Sequence, residues 1–214
     1  MRCKGKPRPI FLSPREATAM AQRRLDVVCR PCNMLITDTG ISVKPMHKKN
    51  GEFVGWWVND TPVLDSYLIE GNPPPYRPGD VVPCKEAWWI ANYGNTWRGI
   101  LIDYYAGGDV KIIAKPKGHI GKLCCWRPAI IMPSWAVRHH RTVKSVECVR
   151  VKDVPVLAIE ASGIIHLPAN RHYATGILEG HDYQTPFKVE WLTRYPSHPF
   201  ESAWAWVITF EEGE

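Results

Sequence analysis

The chain has 214 residues, 45% of them hydrophobic, with a mean hydropathy of −0.24 and a formal net charge of +6. That balance excludes an intrinsically disordered chain, and no apolar run is long enough for a membrane span. The basic N-terminus, MRCKGKPRPIFL, lacks the apolar core of a secretory signal, so a cytoplasmic protein without membrane contact is expected.

Ser13-Pro14-Arg15-Glu16 predicts a helix start: Ser13 can cap, Pro14 suits the first helical position and Glu16 completes a capping box. Ala17, Met20, Ala21 and Leu25 then recur at helical spacing. Residues 33–75 read as strands and loops. Within them Asn50-Gly51 is a hairpin-turn signal, with residues 41–43 and 53–58 as arms, and residues 71–75 are punctuation too short to be a linker. Residues 80–90 read as one strand leading out of a turn. Two more strands, 100–106 and 110–114, are joined by Gly107-Gly108-Asp109.

Residues 137–151 are long and β-rich, and their alternation slips near Val146, which predicts a bulge. Residues 154–162 form a short helix closed by Gly163, and residues 187–194 another. The last strand places Trp204, Trp206, Ile208 and Phe210 on one face. Ala203, Ala205, Val207 and Thr209 form a small opposite face suited to packing under a helix. Many short strands with a few helices imply an α+β fold built on a small mixed β-barrel with flanking short helices.

Charge is unevenly spread. Between residues 111 and 152 there are ten lysines and arginines, and Glu147 is the only acid. Such a run is either a surface for phosphate or a solvated strand face. The segment WRPAIIMPSWAVR, from Trp126 to Arg138, mixes flat apolar rings with fixed positive charge, as a groove for a nucleotide or nucleic-acid strand would. Seven cysteines make a complete disulfide framework improbable. Cys29-x-x-Cys32 and the adjacent Cys124 and Cys125 lack the two well-spaced pairs of a structural zinc site, so no metal is expected. His139 and His140 are strand neighbours that face opposite ways and cannot easily flank one phosphate.

The order of these parts resembles the ASCH domain of the PUA-like superfamily, in its bacteriophage and prophage branch. The Trp126–Arg138 block supplies most of a W-R-P-S-I-x-M-P-R-W-A-S-R-like motif. Pro78, Gly79, Asp80, Val82, Lys85, Glu86 and Trp88 fill part of a P-G-D-x-x-x-V-R-E-T-W-like one. Ile10–Ser13, Ala161–Ile164 and the Trp-rich last strand echo further blocks, leaving about 34–75 as a family-variable insertion in a single domain spanning 1–214. The resemblance implies a PUA-like barrel with a ligand cleft. Carried over position by position, its lining would be Arg23, Arg24, Lys85, Glu86, Arg127 and Arg138, with Trp88, Tyr104, Tyr105 and Trp126 as stacking rings.

The expected function is therefore binding of RNA, another single-stranded nucleic acid or a nucleotide, without a cofactor, in a bacterial host cytoplasm. The alternative is a hydrolase acting on a modified nucleoside or RNA, with Glu86 or Glu160 as its carboxylate. Related amidohydrolases use a lysine and a threonine at a helix end and a glutamate near a later helix. Here residues 21–26 offer no clear lysine or threonine, and Ser162 stands at the glutamate position. Strand alternation puts Glu86 and Trp88 on one face and Lys85 on the other.

Overall fold

A computed structural model describes residues 8–32, 43–47, 53–58, 61–63, 74–91, 100–107, 111–113, 125–164 and 183–212. In chain order the strands are β1 (Ile10–Phe11), β2 (Val27–Cys32), β3 (Val43–His47), β4 (Phe53–Val58), β5 (Thr61–Val63), β6 (Val81–Lys85), β7 (Trp88–Ala91), β8 (Ile100–Tyr104), β9 (Lys111–Ile113), β10 (His139–Arg150) and β11 (Trp204–Phe210). The α-helices are α1 (Pro14–Ala21), α2 (Val156–Ala161) and α3 (Gln184–Arg194). The fold class is α+β, with short helices and mixed strand pairing: β1 runs parallel to β6, and the other described pairs are antiparallel.

The described residues fall into two compact units. The first draws on residues 1–24 and 80–142, the second on 25–79 and 143–212. In the first unit, β6 lies between β1 and the opening residues of β10, with Cys84 opposite both Ile10 and His139. A separate meander runs β7–β8–β9. Its inner face is a core of Trp88, Ile90, Ile102 and Tyr104. Against these pack Met132, Ala136 and Val137, from a segment of two single-turn 3₁₀ helices at Ala129–Ile131 and Ser134–Ala136. A proline precedes each turn, Pro128 and Pro133, and its fixed φ suits that entry.

The α1 start forms as its sequence predicts. Ser13 Oγ accepts from the Glu16 N–H at 3.2 Å, and the Glu16 carboxylate accepts from the Ser13 N–H at 2.8 Å. At its other end the Arg24 N–H reaches the Ala19 carbonyl at 2.8 Å and the Arg23 N–H the Met20 carbonyl at 3.0 Å. This is a Schellman closure, and it places Arg23 at φ +56, the left-handed position where glycine is usual.

In the second unit the strand order is β2–β11–β10–β3–β4–β5. The predicted slip in β10 is real and falls between Val143 and Ser145. The small face of β11 packs as its sequence predicts: Ala205 and Val207 share a core with Ile159 of α2 and with Phe187 and Trp191 of α3. Its large face is buried too. Helix α2 closes through Gly163 at φ +76. The expected hairpin appears as the β3–β4 pair, with Val43 opposite Val58, while Asn50-Gly51 lies outside the described residues.

Replacing Arg23 with glycine relieves its left-handed backbone, offset in part by the freedom glycine adds to the unfolded chain. Arg23→Gly is expected to leave stability unchanged or raise it by up to about 1 kcal/mol in urea unfolding. A clearly lower midpoint would contradict this reading of the α1 end.

Candidate functional site

The site is built on the segment from β6 into β7. Burial alternates without interruption from Val82 through Cys84, Glu86 and Trp88 to Ile90, although the strand pairing breaks at Glu86-Ala87. The expected single strand over 80–90 is therefore two, sharing one inward face. Glu86 and Trp88 point in, as alternation requires, and Lys85 lies on the opposite side.

A carboxylate buried to 1% exposure needs a partner, and Arg138 supplies it. Arg138 Nε donates to Glu86 Oε1 at 2.7 Å and Nη2 donates to Oε2 at 3.1 Å, a bidentate fork. Nη1 donates to the Gly107 carbonyl at 2.8 Å. The guanidinium carbon stands 4.2 Å from the centroid of the Tyr104 ring. The Tyr104 hydroxyl in turn donates to the Ala136 carbonyl at 2.7 Å. Burial raises the Glu86 carboxyl above its usual range, with Arg138 and the Ala106 N–H pulling the other way. Burial also pushes the Tyr104 hydroxyl up to about 12, so it stays a donor.

Trp88 is core, not a stacking platform. Its ring meets Trp135 edge-on at 5.9 Å, the Arg127 guanidinium lies 4.9 Å from its centroid, and its buried Nε1 has no partner among the described residues. The backbones of Trp88 and Arg127 exchange hydrogen bonds of 2.8 and 3.1 Å in an isolated bridge. That bridge sets Trp126, the residue before Arg127, on the outer side of β7. There it stacks on Trp89, centroids 5.4 Å apart and planes within 14°. Tyr105 meets Trp126 at 5.6 Å and 71°. Trp126 is 52% exposed and Tyr105 54%, and the neighbouring Ile130 and Ile131 are exposed as well.

Of the expected lining, the structure brings Tyr105 and Trp126 together on the surface. It gathers Glu86, Trp88, Tyr104 and Arg138 in the interior beneath, with half-buried Arg127 at the join. Three of the five N–H groups of Arg138 have protein acceptors, so most of its fork is engaged within the protein. Arg23 and Arg24 are exposed at the end of α1. The Arg24 guanidinium bonds the Gln22 side chain, and no described contact joins either arginine to the rings. Glu160 belongs to the second unit, is exposed and pairs with the Tyr183 hydroxyl. Trp89 went unnoticed in the sequence; alternation from buried Trp88 was the signal that placed it outside.

Among the described residues two members of the basic run are turned inward: Arg138 is tied to Glu86, and Arg150 is buried against Trp204, 5.0 Å from its ring centroid. Cys29 and Cys32 face opposite sides of β2: Cys29 joins the core under α3, and Cys32 accepts a hydrogen bond from the Cys148 thiol at 3.5 Å. Among the described residues no helix is long and apolar enough to cross a membrane.

No protein-family model, curated protein or solved structure matches the chain. The site's chemistry therefore rests on its own residues.

His139 and His140 diverge as strand neighbours should, His140 outward and His139 partly buried, its Nε2 without a partner among the described residues. Burial, then the charges of Arg138, Arg141 and His140, lowers His139 from 6.5 to about 4. Between those values the unfolded chain holds the proton and the folded chain does not. Stability is therefore expected to fall as pH drops from 6.5 towards about 4. His139→Asn should flatten that slope in urea unfolding across this range. An identical slope in the variant would contradict the assignment.

Proposed function

We propose that this protein binds single-stranded nucleic acid, RNA in the first instance, by stacking bases on the Trp126 and Tyr105 rings. The observation that carries the reading is their combined exposure and order: two half-exposed rings in contact with each other, one backed by the parallel Trp89. Large rings held out to water and fixed in place favour a flat, apolar-faced ligand, and every base offers such a face whatever its sequence. The Arg127 guanidinium lies over the buried Trp88 ring, so the stacking reading rests on the outer rings and not on that charge.

The resemblance to phage and prophage ASCH proteins agrees with this reading and suggests a PUA-like barrel acting in the bacterial cytoplasm. In our reading, however, the ligand lies on the outer ring surface, with Glu86 and Arg138 beneath it. The hydrolase alternative would draw on Glu86 or Glu160. Glu86 is engaged with Arg138 and Glu160 with Tyr183, so neither is offered as a free acid or base.

Fluorescence anisotropy with a labelled oligouridylate tests the proposal. Trp126→Ala is expected to weaken binding by about tenfold, the worth of one base–aromatic stack, while the salt dependence keeps its slope because no phosphate contact is lost. Absence of binding by the wild type at low salt, or equal affinity in the variant, would refute it.

A further inference from the structure

We propose that Glu86 and Arg138 are positioning residues for the stacking surface, acting through the turn at residues 104–107. The inference rests on the stacking reading for its functional meaning, but its geometry is independent of any ligand. The turn carries Tyr104 inward and Tyr105 outward. Its amides are held one by one. The Tyr105 N–H donates to the Ala87 carbonyl at 3.0 Å, the Gly107 N–H closes the turn on the Tyr104 carbonyl at 2.9 Å, and the Ala106 N–H donates to the Glu86 carboxylate. From the other side Arg138 donates to the Gly107 carbonyl while its guanidinium covers the Tyr104 ring. The ion pair thus grips the turn at an N–H, at a carbonyl and at a ring.

Tyr105 sits between these grips, and its ring is the one that meets Trp126. Gly107 adopts φ +69, a left-handed conformation that glycine takes without steric cost. The Glu86 carboxylate is buried at 1% side-chain exposure and Arg138 is largely covered at 12%. The donors and acceptors left over from the pair are satisfied by the turn, so the turn's backbone is tied to the pair's geometry. The arginine fork makes two parallel bonds to the carboxylate and still reaches the turn, whereas a lysine's ammonium shares its donors from one point and lacks the flat face over Tyr104.

The test combines amide hydrogen exchange with oligouridylate binding on Arg138→Met and Arg138→Lys. In Arg138→Met the amides of Tyr105, Ala106 and Gly107 are expected to exchange on the order of tenfold faster beyond any change shared by Val146 and Ile208, which report the overall loss of stability. Oligouridylate affinity should fall by about fivefold at constant salt slope, and Arg138→Lys should recover part of both effects. Unchanged exchange at 105–107, or acceleration spread evenly through both units, overturns the positioning role. Should Arg138→Met fail to fold, Arg138→Lys alone carries the exchange comparison, with the same two results deciding it. If the wild type binds no oligouridylate, the stacking reading falls, and local exchange still decides whether the pair holds the turn.

Discussion

The first unit is organised around a carboxylate that water does not reach. Glu86 falls on the inward side of a strict alternation, and its charge must be answered inside the protein. Arg138 answers it from 52 residues away in sequence, at the entrance of β10. Removing one partner of such a buried pair leaves the other uncompensated, at a cost of about 3–5 kcal/mol. The pair as a whole adds far less than that to stability, since both charges give up hydration. Its contribution lies in geometry: it fixes how the segment around Trp126 to Arg138 meets the β7–β8 meander.

From that constraint the two sides of β7 acquire different tasks. Trp88 faces inward and fills the core with Tyr104, Met132 and Ala136. Trp89, one residue on, faces outward and becomes the bed on which Trp126 lies. The reciprocal backbone bonds between Trp88 and Arg127 join the two layers, so the outer rings inherit their placement from the inner ones. Under the stacking proposal, rings already packed against one another lose little freedom when a flat ligand is received, which favours affinity.

Local chemistry made much of this architecture legible in the sequence. The Ser13–Glu16 capping box, the two unequal faces of β11, the irregularity in β10 and the Gly163 closure each depend on residues a few positions apart. The shared face of Glu86 and Trp88 followed from alternation alone. What escaped depends on distant partners. Nothing near Arg138 in sequence announces Glu86, and nothing near Arg150 announces its burial against Trp204, so both resembled members of a basic surface. Arg23 offered no glycine to mark the left-handed residue that ends α1. The strand break at Glu86-Ala87 is hidden because burial keeps its period across it.

The most direct test of the central claim is photo-crosslinking with an oligouridylate carrying 5-iodouridine, followed by mass mapping of the modified residue. A base lying on the outer rings places the crosslink on Trp126 or Tyr105. Crosslinks confined to the end of α1 or to the second unit would contradict the account.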